Sequence, residues 1–141
     1  MPVLDTDTLT IVQRGTGLAY DRLIARLSAP PADNLVWVTI LSLEEQMRGW
    51  MEYIKRGKPQ ELPSHYARLQ ALYEDFATRL VLPFDEAAAV VYERLLRART
   101  RVGAMDLRIA AIVIARQDVL VSANVQHFQR IPGLRVEDWT R

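Results

Sequence analysis

The chain has 141 residues with no cysteine, half of them hydrophobic and a quarter charged, for a net charge of +1 at pH 7. That length suits a single domain over residues 1–141 with a core that needs no covalent staple. The composition excludes a disordered chain, a disulfide framework, a thiolate metal site and any case for nucleic-acid binding built on net charge alone.

No apolar run approaches the length that crosses a bilayer. The N-terminus also lacks a basic segment followed by an apolar one. The cytoplasm is the expected compartment, with no membrane partner. Lys55 and Lys58 are the only lysines; every other basic residue is Arg. Arg is the better fork for phosphate and carboxylate, although a compositional bias explains the preference equally well.

The chain opens with a short apolar run, Val3-Leu4, that stops at Asp5. A helical pattern covers Thr8 to about Leu27, and Gly15 and Gly17 divide it in two. Ala29-Pro30-Pro31 and Asp33-Asn34 read as a loop. Leu35 to Ile40 is a continuous apolar, β-rich run, as expected of a strand covered on both faces. A third helix is predicted from about Ser42 to Ile54, with Leu43, Met47, Trp50, Met51 and Ile54 on one stripe. Ser42 and Glu45 have the spacing of a capping box.

Arg56-Gly57-Lys58-Pro59 ends that helix, and Pro63-Ser64 starts a fourth with Leu69, Leu72, Tyr73 and Phe76 on its apolar face. Arg79 to Leu82 is a short strand, and Asp85 is a good N-cap for a helix from Glu86 to Arg101. Val102-Gly103 breaks the pattern. Ala104 to Gln117 is helical and apolar nearly all round, which predicts a buried helix. Val119 to Ser122 is another strand, with Asn124 just beyond it. A turn of helix near Gln126 to Phe128 and an edge strand near Leu134 to Val136 complete the chain. Strands alternating with helices imply right-handed βαβ units, hence an α/β fold with a central parallel sheet of four to five strands between two helical layers.

Several acids and one amide fall where such a sheet presents its C-terminal edge, the edge at which open α/β sheets bind ligands. Asp5 ends the first strand, as either a helix cap or a functional group. Asp7 is at least as good a cap, which leaves one of the two without a capping task. Asp106 is the only acid in the apolar helix. It either complements the helix N-terminus, for about 0.3–1 kcal/mol, or is held there by a cation. Periodicity places Glu45 nearly opposite the apolar stripe, as a solvated capping residue, yet its position follows the second strand. Asn124 ends the fourth. His127 and His65 are too far apart in sequence to suggest a zinc pair, and a lone His of this kind is usually structural.

Asp5, Glu45, Asp106 and Asn124 can therefore meet on one rim. Crowded carboxylates repel, and a divalent cation removes that cost. An all-oxygen donor set without Cys suits Mg²⁺ or Mn²⁺, and phosphodiester hydrolysis is the chemistry such a site serves best. No phosphate loop, dinucleotide fingerprint or nucleophile elbow is present. A receiver-type aspartate site would need a Lys ending a later strand, and both lysines lie elsewhere.

Four segments together resemble PIN-domain ribonucleases, and among them the VapC-like toxins of type II toxin–antitoxin systems. They are Leu4-Asp5-Thr6-Asp7-Thr8-Leu9, Ser42-Leu43-Glu44-Glu45-Gln46-Met47-Arg48-Gly49, Gly103-Ala104-Met105-Asp106-Leu107-Arg108-Ile109-Ala110-Ala111, and Val121-Ser122-Ala123-Asn124-Val125-Gln126-His127-Phe128, the last continuing to Glu137-Asp138-Trp139. The resemblance covers essentially the whole chain. It implies a PIN-like three-layer fold and a Mg²⁺- or Mn²⁺-dependent endoribonuclease. Asp5 and Asp106 would be the metal-binding aspartates, and Asp7 would support Asp5. Glu45 is favoured over Glu44 because the family's Glu precedes a Gly by four positions, here Gly49. The resemblance further implies a homodimer and an antitoxin protein that blocks the site. Where the family often has an acid, this chain has Asn124 and His127. That departure also fits a second reading, a PIN-like module that binds RNA or protein with weak catalysis.

Overall fold

The computed structural model describes residues 1–30 and 35–141. The loop expected across Pro31, Asp33 and Asn34 lies outside the described residues. In chain order the elements are β1 (Pro2–Leu4), α1 (Thr6–Arg14), α2 (Leu18–Leu27), β2 (Trp37–Thr39), α3 (Ile40–Arg56), a 3₁₀ turn (Pro59–Glu61) and α4 (Leu62–Ala77). Then follow β3 (Leu80–Leu82), α5 (Glu86–Arg97), α6 (Ala104–Arg116), β4 (Val119–Val121), α7 (Val125–Phe128) and β5 (Val136–Glu137).

The five strands form one sheet in the order β3-β2-β1-β4-β5. Every pairing is parallel. β1 lies in the middle, with Val3 beside Trp37 of β2 on one side and Leu120 of β4 on the other. Successive strand residues point to opposite faces, and both faces are covered. Val3, Leu82 and Leu120 join Ala88 and Leu95 of α5, Leu107 and Ile109–Val113 of α6, and Phe128 in one core. Leu4, Val38 and Val121 join Leu9 of α1, Leu23 of α2, Leu72 and Phe76 of α4, and Trp139 in the other. This is the three-layer α/β architecture expected from the alternation of elements. Among the described residues no helix is long and apolar enough to cross a membrane.

Helix α1 begins at Thr6, two residues before the expected Thr8, and two further helices start or stop away from their expected positions. Helix α3 begins at Ile40, not Ser42, because Thr39 is its N-cap and accepts a hydrogen bond from Ser42 N. The Ser42–Glu45 capping box is therefore not formed. Helix α5 ends at Arg97, four residues early, and Arg99 and Arg101 take left-handed φ values of 50° and 63°. Asp85 caps α5 as expected, with its carboxylate 2.9 Å from Ala88 N.

Candidate active site

Asp5 sits where β1 turns into α1, and its own N–H still pairs with Val121 O at 3.2 Å. Its side chain is the α1 N-cap: Oδ1 accepts from Thr8 N at 2.8 Å. The capping task thus falls to Asp5, and Asp7, which was the equal candidate, is exposed in the first turn. Capping uses one carboxylate oxygen only. Oδ2 accepts from the Ser122 hydroxyl at 2.6 Å, a bond across 117 residues of sequence. Ser122 Oγ in turn accepts from Asn124 N at 2.9 Å. The ends of β1 and β4 are therefore tied together by polar groups as well as by the sheet.

Glu45 is not the solvated capping residue that periodicity suggests. Because α3 starts early, Glu45 lies in its second turn and faces α1, where Oε1 accepts from Thr6 Oγ1 at 2.8 Å. Thr6 Oγ1 also meets Ser42 Oγ at 2.9 Å. Glu44 turns outward and pairs with Arg48. Asp106, in the first turn of α6, is not buried as its apolar helix suggests: its side chain is 37% exposed. The helix is buried at Leu107 and from Ile109 to Val113, whereas its N-terminal turn reaches the sheet edge. Asp106 Oδ2 lies 2.9 Å from His127 Nε2. Asn124 precedes α7 without capping it through its side chain.

Asp5, Thr6, Asp7, Glu45, Asp106, Asn124 and Phe128 line one cavity of about 150 Å³. All four residues singled out from the sequence are among them. Burial pushes the Asp5 carboxyl above its ordinary value; hydrogen bonds from Ser122 and Thr8 oppose the rise, and the charge of Asp7 adds to it. Burial raises Glu45 as well, against the Thr6 hydrogen bond, and the charges of Asp106, Asp7 and Asp5 push it further up. Electrostatically, the cavity is a place where negative charge is held at a cost that a cation would remove.

The donor set fits a hard divalent cation, since all the inward groups offer oxygen. Among the described residues, however, no three His, Asp or Glu side chains stand close enough together to form a ready-made ligand group. The hydrogen bonds explain the spacing. Asp5 is held by Ser122 and Thr8, Glu45 by Thr6 and Asp106 by His127, each from a different side. Ser122 and Thr6 were not found from the sequence, and His127 was read there as a structural residue and as a departure from the family's acid. The one available signal was the three-residue step from Asn124 to His127, one helical turn, which puts both on the same side of α7.

No family model matches the chain. The tRNA(fMet)-specific endonuclease VapC of Salmonella typhimurium is 42% identical over 74 residues, 49% of this chain and 56% of that protein. Thus the chain spans little more than half the length of that relative. The tRNA(fMet)-specific endonuclease VapC of Shigella flexneri is 35% identical over 95 residues, 64% of this chain and 70% of that protein. Among solved structures, DNA-bound VapBC from Salmonella typhimurium superposes with a TM-score of 0.69 at 28% identity, over 98% of this chain and 97% of that one. The sheet order, the acid-lined edge and the extent of these matches agree, and the chain belongs to the VapC family.

Proposed function

We propose that residues 1–141 act as one PIN-like domain and that this domain is a Mg²⁺- or Mn²⁺-dependent endoribonuclease, the toxin of a toxin–antitoxin pair. The observation that carries the reading is the convergence of Asp5, Glu45 and Asp106 on one cavity at the C-terminal edge of the sheet. Asp5 and Asp106 would hold the cation, with Asn124 completing the rim through its amide oxygen. A divalent cation held by these residues would polarise the phosphate and stabilise the departing oxygen.

The chain's own residues do the rest. Glu45 orients the attacking water and takes its proton. One carboxylate oxygen is committed to Thr6, which leaves the other for the water. Its raised pKa makes it a better proton acceptor at neutral pH than an ordinary carboxylate. Asp7 adds negative charge at the mouth and so supports cation binding. RNA is the substrate; because the two relatives are named for tRNA(fMet), initiator tRNA is the first one to try.

The likeness to the VapBC structure from Salmonella typhimurium supports a cognate antitoxin as partner. A groove of about 640 Å³ is lined by Thr10, Gln13, Gln46, Trp50, Tyr53 and Arg68 among others; all of these but Arg68 lie on α1 and α3, the helices that carry Thr6, Asp7 and Glu45. An antitoxin segment lying there could present an Arg to the carboxylates in place of the cation. The protein is taken to be a homodimer.

The test is cleavage of initiator tRNA and of a total RNA pool with Mg²⁺, with EDTA, and by Asp5→Asn. Cleavage only by the wild type with Mg²⁺ is the expected result. Equal cleavage in all three would reject the assignment. Binding of RNA without any cleavage would leave the weakly catalytic binding module as the better description.

A further inference from the structure

The α7 segment touches both aspartates that the proposed function assigns to the cation. Ser122, just before it, donates to Asp5. His127, in its last turn, reaches Asp106 at 2.9 Å. The segment is firmly seated: Phe128 and Ile131 are each 2% exposed and belong to the α5–α6 core. The His127 ring stands edge-on to Phe128, with centroids 5.2 Å apart and planes at 75°. A ring held this way has little freedom to turn away from Asp106.

An ionised carboxylate only accepts hydrogen bonds, so Nε2 carries the proton shared with Asp106. The imidazole then occupies one Asp106 oxygen and leaves the other for a ligand. Asp5 differs: both of its oxygens accept from neighbouring elements, and each keeps a further lone pair for a ligand. A carboxylate at position 127 would instead repel Asp106 and raise the charge of an already crowded rim.

We propose that His127 is a positioning residue that fixes the Asp106 carboxylate for the divalent cation through its Nε2–H, in place of a further acid. This rests on the reading of the cavity as a cation site. His127 is not itself a ligand, since its inward nitrogen is committed to Asp106 and the proposed cation prefers oxygen.

The experiment is calorimetric titration of Mn²⁺ into the full chain at pH 7.5, with initiator-tRNA cleavage measured in parallel. Four proteins are compared: wild type, His127→Ala, His127→Gln and His127→Asn. The Gln amide reaches the place of Nε2, whereas the Asn amide is too short. Partners of metal ligands typically change affinity about 10–100-fold. His127→Ala and His127→Asn are expected to weaken Mn²⁺ by that factor, and His127→Gln to stay within about threefold of wild type. If Ala does not fold, the Gln and Asn pair decides. Mn²⁺ affinity unchanged in Ala and Asn overturns the inference, even if cleavage falls, because His127 would then act on the RNA. A wild type that gives no Mn²⁺ heat is a different result: it rejects the cation site itself, and this inference with it.

Discussion

The Asp5 carboxylate caps α1 through one oxygen and takes the Ser122 hydroxyl on the other, so its structural and chemical roles can be separated by changing charge alone. Asn caps a helix as well as Asp does. Asp5→Asn is therefore expected to fold normally, with a urea midpoint in EDTA at pH 7.5 equal to or above wild type. Mn²⁺ binding should vanish, and tRNA cleavage should fall at least about a hundredfold. Asp5→Ala loses the cap too and should cost about 1 kcal/mol. The raised pKa values of Asp5 and Glu45 also fix a pH dependence. In both, the folded state holds its proton more tightly than the unfolded chain. Their contribution to stability is complete below the ordinary carboxyl range and is lost as pH rises through their folded values. Asp75 runs the other way. Burial, which would raise it, is outweighed by hydrogen bonds from Arg79 and Gln13, so its contribution is present above the ordinary range and lost in acid. The difference in urea midpoint between wild type and an Asp5→Asn, Glu45→Gln double variant isolates the site. In EDTA the wild type should fall further behind the variant as pH rises from 4 to 7.5, and Mg²⁺ at pH 7.5 should recover the loss. A pH-independent difference would mean that the two groups titrate alike in folded and unfolded protein.

Element boundaries decided which site residues could be read in advance. Asp5 and Asn124 were legible because strands end where polar residues interrupt apolar runs. Asp106 was legible because it is the one acid in an apolar helix. Glu45 was legible by its place after the second strand and by the family resemblance but not by periodicity, which put it in solvent, and the cause is local. Thr39, Ile40 and Leu41 suit a strand or a helix equally well on pattern. The chain turns at Thr39, which moves Glu45 from a solvated first turn to the face opposite Thr6. The displaced end of α5 has an energetic signature. Arg99 and Arg101 are non-glycine residues with left-handed φ, just after α5 and before the turn that carries Asp106. Left-handed backbone costs an L-residue about 1–2 kcal/mol, and glycine's extra unfolded-state freedom costs back about 0.5–1. Arg99→Gly should therefore stabilise the protein by up to about 1.5 kcal/mol in urea melts, and β-branched Arg99→Val should destabilise it. Equal melts for both would show that the loop relaxes out of this conformation.

At the scale of the whole molecule, the layers follow from hydrophobic pattern and the site from contacts that pattern does not encode. Alternating apolar runs and helical stripes specify a parallel sheet covered on both sides, and that is what forms. The order β3-β2-β1-β4-β5 puts the change of direction at β1, so its end is where ligands are expected. Nothing in the pattern says that Ser122 will meet Asp5 or that His127 will meet Asp106. Those meetings are made by polar groups on the rim, outside both apolar cores. Core and rim should consequently respond independently to mutation. Ile112 lies six residues beyond Asp106 on α6, about 9 Å along the axis, and is 2% exposed in the α5–α6 core. Ile112→Ala is expected to cost about 2–5 kcal/mol of folding stability. Its Mn²⁺ affinity, measured where the variant is still fully folded, should stay within about threefold of wild type. Asp106 is positioned by the turn that begins at Gly103 and by His127, not by the packing of Ile112. A Mn²⁺ affinity that falls in proportion to the lost stability would show instead that the rim is assembled by the core, and that its hydrogen bonds follow the packing rather than set the site.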